Sequence, residues 1–71
     1  MAADVHSPIA GTISKILVSE GERVSIAQPL IVLESMKMQV PVESPTAGTV
    51  ARVSVKEGQP VEGGELLVTV G

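Results

Sequence analysis

Lysine, histidine and carboxylate side chains are the candidates for nucleophilic, acid–base or metal-binding chemistry in this 71-residue chain. The chain contains no cysteine. Without cysteine, a thiol nucleophile, an iron–sulfur cluster and Cys-ligated zinc are excluded. The single histidine, His6, leaves no Ser/His/Asp set with a spare base and no site with several histidine ligands. Of the three lysines, Lys37 lies near the middle of the chain, between Met36 and Met38.

The charge balance narrows the range of partners. The formal net charge is −3 and the chain has no Phe, Trp or Tyr. It therefore lacks both the basic field and the stacking platforms that nucleic-acid binding needs. No apolar run approaches the length of a membrane span, and the first residues lack the pattern of a signal peptide. We expect no nucleic-acid or membrane partner and a cytoplasmic or mitochondrial-matrix location.

The apolar residues predict an all-β fold. Valine, isoleucine and leucine build nearly the whole core, and most of them are β-branched, which favours strands over helices. Seven glycines and five prolines interrupt the chain at short intervals. No segment between them holds a helical period. Strands joined by tight turns are the expected elements.

An internal repeat organises these strands. A shift of 37 positions places residues 7–34 on residues 44–71 without a gap, and ten of the pairs are identical. Each copy begins with a Ser-Pro-x-Ala-Gly turn that precedes a strand ending at Val18 or Val55. One copy cannot bury a core alone. We expect a single domain, residues 1–71, with halves 2–34 and 39–71 forming two four-stranded antiparallel sheets around a pseudo-twofold axis.

Between the two copies, the segments 29–35 and 38–43 should form a hairpin. A two-residue loop at Met36 and Lys37 keeps apolar pairs on one face, whereas a three-residue loop mixes apolar and polar residues. In this register Lys37 is at the tip, Glu34 faces outward, and Met38 lies on the core face opposite Ser35. The repeat also places the N-terminal segment beside the C-terminal strand, at the pole opposite Lys37.

The turn chemistry at this tip is unusual. Two-residue hairpins prefer primed turns, whose positive φ angles favour Asn-Gly or Gly-Gly. Met36 and Lys37 in such a turn cost about 1–3 kcal/mol. Because Met36 and Lys37 do not fit the residue preference of this turn, we infer that the lysine has a role other than folding. A solubilising lysine at a hairpin edge is the alternative interpretation.

The segment Glu34-Ser35-Met36-Lys37-Met38 resembles the attachment motif of biotin carboxyl carrier domains, usually Glu-Ala-Met-Lys-Met. The Ser-Pro-Ile-Ala-Gly-Thr start (residues 7–12) and the turn at residues 20–24 are also similar to the family, and the likeness covers the whole chain. The family fold is a flattened barrel-sandwich with the lysine on a tight turn. Because no protruding thumb loop fits between Gly11 and Gly21, the resemblance is to the thumbless type.

The resemblance implies a function for each of these residues. Lys37 would carry biotin in amide linkage, attached by a biotin protein ligase. Glu34, Met36 and Met38 would be recognised by the ligase or by the partner enzymes. A biotin carboxylase and a carboxyltransferase of an acyl-CoA, pyruvate or urea carboxylase would then use the arm, so the chain itself is expected not to be an enzyme. Ala27 departs from the family, which usually has glycine there, and is strained if the turn needs positive φ.

Other interpretations stay open beside this one. Glu34 could be an ordinary solvated carboxylate, Met38 a core gap-filler, and His6 a surface residue at a strand end. Glu20, Glu57 and Glu62 are interpreted as solvated turn charges. The alternative functions are a lipoyl domain of a 2-oxo-acid dehydrogenase, which shares the fold but usually has Asp-Lys-Ala at the turn, and an unmodified interaction module.

Overall fold

The computed structural model describes residues 2–71 and is all-β over that range. No helix in the described range is available to cross a membrane. The eight strands are β1 (Ala3–His6), β2 (Gly11–Ile16), β3 (Arg23–Val24), β4 (Pro29–Ser35), β5 (Met38–Glu43), β6 (Gly48–Val53), β7 (Pro60–Val61) and β8 (Leu66–Val70). The predicted fold class is confirmed. The strands β2 and β6 end two residues earlier than expected, and Val18 and Val55 are buried in the connections that follow.

Two four-stranded sheets contain all of these strands. Their orders are β1-β8-β6-β3 and β5-β4-β2-β7, and every pairing is antiparallel. The 37-residue shift carries each strand of one sheet onto a strand of the other. Each sheet takes two strands from each half of the chain, so neither half can form a sheet of this kind alone.

The hydrophobic core between the sheets consists of aliphatic side chains, and Ser7 and Ser44 are buried as well. Leu30, Ile31, Leu33 and Leu67 are completely buried, as are several valines of both halves. Burying one such side chain contributes about 1.5–3 kcal/mol. The inward face of β4 therefore anchors the strand that leads to Lys37.

Four turns of one design connect the strands. In each, the third residue has positive φ, and the fourth is a Glu or Gln whose side chain accepts the backbone N–H of the first. The turns are residues 19–22, 25–28, 56–59 and 62–65. A positive φ at the third position is the type II pattern, which favours glycine. Glycine occupies it in three turns, and Ala27, with φ of 67°, occupies it in the fourth.

Exchanging the residue types at Ala27 and its repeat counterpart Gly64 tests this strain. Ala27→Gly should raise the free energy of unfolding by about 1 kcal/mol, because alanine is disfavoured at positive φ. Gly64→Ala should lower it by a similar amount. A Cβ at Gly64 would meet nothing within 4 Å, so conformation alone sets the effect. Urea unfolding measures both, and changes of the same sign in the two variants would contradict the strain.

Two glutamates have a different role from the one predicted. Glu57 accepts the backbone N–H of Ile16 at 3.1 Å, and Glu20 accepts that of Val53 at 3.4 Å. Both were expected to be solvated turn charges, and both are exposed, yet each carboxylate joins one half of the chain to the other. The juxtaposition depends on how the halves pack, which local sequence does not reveal. The structure gives no partner role to the Glu62 carboxylate.

The first and last strands lie side by side. Strand β1 pairs with β8, with Ala3 opposite Val70, as predicted from the repeat. At its other end β1 reaches His6, which is exposed as expected, and a short connection leads to Gly11, which lies beside Glu34 near the tip of the β4–β5 hairpin. The hairpin thus adjoins the end of the first sheet that is opposite the termini.

Candidate functional site

The β4–β5 hairpin has the register that strand alternation predicted. Its partners run without a shift from Ser35–Met38 through Leu33–Val40 to Ile31–Val42. The inward pairs bring apolar side chains together, and the pair Glu34–Gln39 lies on the outer face, where both residues are exposed. This pairing leaves Met36 and Lys37 as a two-residue loop.

Both loop residues adopt the left-handed backbone conformation. The φ angle is 53° at Met36 and 66° at Lys37, as a type I′ hairpin turn requires. Each non-glycine residue in this region costs about 1–2 kcal/mol. Within residues 2–71, Ala27 is the other non-glycine residue with positive φ. The strain expected from the sequence is therefore present at the tip.

The tip side chains point into solvent. Met36 is 93% exposed, Met38 is 63% exposed, and Lys37 is also exposed. The interpretation of Met38 as a core gap-filler is wrong. Met38 lies on the same side of β5 as the buried residues. The pair Ser35–Met38, however, lies beyond Leu33–Val40, the last pair that packs against the core. Met38 is consequently part of the tip surface.

Gly11 packs against the end of β4 next to the turn. A Cβ built on Gly11 would lie 2.6 Å from the carbonyl oxygen of Glu34 and 3.4 Å from the Cβ of Ser35. Glycine inside a strand often marks such a close backbone approach. Sequence reasoning used Gly11 as a repeat marker and missed this contact, although a glycine at the start of a strand was the available signal.

The arrangement supports attachment of a group to the lysine. Residues 2–71 enclose no cavity, and within that range no cluster of acidic, histidine or cysteine residues could hold a metal ion. An exposed primary amine on a short turn can form an amide with an activated carboxyl group without displacing any core residue. The hairpin geometry therefore fits a prosthetic group held by a covalent bond at Lys37.

Comparison with known proteins identifies the family. The family model described as biotin-requiring enzyme matches residues 1–70. The chain belongs to this family. The resemblance noted in the sequence is thereby confirmed, and it extends over both repeat halves.

The chain is also similar to individual biotinylated proteins and carboxylase components. The chain is 39% identical over 70 residues to the biotinylated protein TB7.3 homolog of Mycobacterium leprae, covering 99% of both chains. It is 53% identical over 36 residues to the methylmalonyl-CoA carboxyltransferase 1.3S subunit of Propionibacterium freudenreichii, covering 51% of this chain and 29% of that subunit. The urea carboxylase of Kluyveromyces lactis superimposes with a TM-score of 0.95 at 27% identity.

The coverage differs strongly between these relatives. The chain corresponds to 6% of the urea carboxylase, of which it resembles one domain, and it spans less than a third of the carboxyltransferase subunit. The mycobacterial protein, in contrast, has nearly the same length as this chain. The biotin-requiring enzyme fold therefore occurs both within large carboxylases and as a small protein.

Proposed function

We propose that this chain is a biotin carboxyl carrier in which biotin is held in amide linkage to Nζ of Lys37. The observation that carries the proposal is the exposed lysine on a strained two-residue turn. The chain's membership of the biotin-requiring enzyme family supports it. The biotinylated and carboxyltransferase relatives support biotin as the attached group. The lysine is an attachment point and the chain is not a catalyst.

The attachment step needs one group from this chain. The neutral Nζ of Lys37 attacks the acyl carbon of biotinyl-adenylate presented by a biotin protein ligase, a C–N bond forms, AMP leaves and the nitrogen loses a proton. Lysine with the biotin valeryl chain spans about 14 Å. When bound, biotin supplies a ureido nitrogen that carries a carboxyl group. The two sheets hold the turn that carries this arm. Because the turn is exposed, the biotin at the end of the arm can enter two separate active sites.

The partners proposed for the arm are a biotin carboxylase and a carboxyltransferase of the acyl-CoA, pyruvate or urea carboxylase type, in the cytoplasm or the mitochondrial matrix. The carboxylase relatives support this class of partner. To test it, the biotinylated chain is incubated with a biotin carboxylase, ATP and radiolabelled bicarbonate. Label that travels with the chain only when ATP is present supports the proposal, and no label on the fully biotinylated chain contradicts it.

The attached group itself distinguishes the alternative functions. Streptavidin blotting after co-expression with a biotin protein ligase should be positive, and an anti-lipoyl blot after co-expression with a lipoate ligase should be negative. The reverse pattern would indicate a lipoyl domain of a 2-oxo-acid dehydrogenase. An unmodified mass with both ligases active would indicate an interaction module.

Recognition by the ligase is proposed to use Glu34 and the two methionines at the tip. Glu34 is exposed on the outer face beside the turn, and the thioethers of Met36 and Met38 are flexible contacts for more than one partner. We expect Glu34→Gln to lower kcat/KM for biotinylation about tenfold, because a charged contact at an interface is removed.

The matched control for this prediction is Glu43→Gln. Glu43 is an exposed carboxylate on the same hairpin, but it lies at the far end of β5, opposite Pro29. Ligase kinetics should be unchanged in this variant. Equal losses in the two variants would show that net charge, and not contact with Glu34, determines the rate.

A further inference from the structure

The Met36–Lys37 turn is the only covalent connection between the two halves of the chain, and it is strained at both residues. Its φ angles of 53° and 66° are unfavourable for non-glycine side chains. An extended conformation of the same residues would relieve this strain. The side chains at the turn make few packing contacts, since Met36 is 93% exposed and Met38 63% exposed. Opening the turn therefore sacrifices almost no buried surface at the hinge.

The topology makes an opened chain complementary to a second opened chain. Each sheet contains two strands from the first half and two from the second half. A first half whose own second half has swung away can accept the second half of another copy and rebuild the same core. Short, strained hinge loops are known to favour this kind of exchange.

The strand register lets the exchanged pair form one continuous ladder. Antiparallel partners follow without a shift from Ile31–Val42 to Ser35–Met38. If the turn is extended, the same register continues and places Met36 of one copy opposite Lys37 of the other. Residues 35 to 38 then span about 10 Å, enough to pass from one rebuilt core to the next.

We propose that the chain forms a domain-swapped homodimer in which residues 2–35 of each copy pack with residues 38–71 of the other, with Met36 and Lys37 as the hinge. In this dimer the lysine lies within an extended ribbon between two cores, and the hairpin tip no longer exists. The monomer and the swapped dimer thus present Lys37 in different settings. This inference rests on the turn and the topology and is independent of the proposed function.

Three variants separate hinge strain from general stability. Met36→Asn with Lys37→Gly, which suits a type I′ turn, should shift the monomer–dimer equilibrium toward monomer at least about 100-fold. Met36→Ile, a β-branched residue at positive φ, should shift it toward dimer about tenfold. Ala27→Gly relieves strain at a turn within one half, present in both forms, and should change the equilibrium less than about threefold.

The dimer is measured by light scattering after size-exclusion chromatography of chain refolded from denaturant at low and high concentration. An introduced disulfide identifies the exchange. Glu34→Cys with Gln39→Cys places two thiols directly opposite across β4 and β5, within disulfide range, in a chain with no other cysteine. On a non-reducing denaturing gel, oxidised monomer runs as one chain and oxidised swapped dimer as two linked chains.

The expected result is a concentration-dependent dimer that becomes covalent on oxidation and that the Asn-Gly turn abolishes. A dimer that separates into single chains on the gel would overturn the proposal, since its halves are not exchanged. A monomer in wild type and in Met36→Ile at every refolding concentration would also overturn it. So would an equal dimer fraction in wild type and in the Asn-Gly variant.

Discussion

Replacing Lys37 by arginine is expected to abolish biotin attachment completely. Arginine keeps the positive charge and a long aliphatic stem at the tip, so the turn and the outer surface change little. Its guanidinium remains protonated and cannot act as the amine nucleophile. Streptavidin blotting and intact-mass spectrometry after co-expression with a biotin protein ligase should show the unmodified chain. Stability should stay within about 0.5 kcal/mol of wild type, as for other surface substitutions.

The other two lysines provide matched controls. Lys15 and Lys56 are exposed, and neither lies in the hairpin. Lys15→Arg and Lys56→Arg should be biotinylated as fully as the wild-type chain. Biotin on the Lys37→Arg variant, or its loss in either control, would contradict attachment at Lys37.

Gly11→Ala is expected to be the most damaging single-methyl addition among the glycines. The new Cβ would lie 2.6 Å from the Glu34 carbonyl oxygen, and that oxygen belongs to a central strand that cannot easily withdraw. Overpacking of this kind costs about 1–3 kcal/mol, and we expect the upper part of that range. A small domain has only a narrow reserve of stability, so guanidinium unfolding should show a clearly lower midpoint.

Gly48→Ala is the repeat-related control. A Cβ at Gly48 would lie 3.0 Å from the Gly71 carbonyl oxygen and 3.0 Å from Val70 Cγ1. Contacts of 3.0 Å are relieved by shifts of a few tenths of an ångström, so the loss should be about 1 kcal/mol or less. Gly11→Ala should also slow biotinylation of the folded chain, because it displaces Glu34 and Ser35 next to the turn, whereas Gly48→Ala should not. Equal stability losses and unchanged ligase kinetics in both variants would contradict the supporting role of Gly11.

The features of the structure that were predicted correctly from the sequence are those that depend on neighbouring residues alone or on the internal repeat. Strand alternation requires one register, so the loop at Met36 and Lys37 and the outward position of Glu34 followed from the order of apolar residues. Ala27, whose counterpart in the other repeat is Gly64, was expected to be strained if its turn needs positive φ, and its φ of 67° meets that condition.

Features that depend on packing between distant segments were not accessible in this way. Met38 lies on the inward-facing side of β5, but it lies beyond Leu33–Val40, the last pair of the hairpin that packs against the core, and it is exposed. Glu20 and Glu57 look like solvated turn charges until the two halves are packed, when each carboxylate meets a backbone N–H of the other half. Parity and turn chemistry give the direction of a side chain, whereas the extent of the facing layer decides what it meets.

Peptide-resolved mass spectrometry of the wild-type chain tests the central claim most directly. The purified chain is incubated with biotin, ATP and a biotin protein ligase, digested, and sequenced by fragmentation. The expected result is one biotin per chain, in amide linkage to Lys37 within the peptide that contains Met36 and Met38. Biotin on Lys15 or Lys56, or a chain that stays unmodified while a known acceptor in the same tube is labelled, would contradict it.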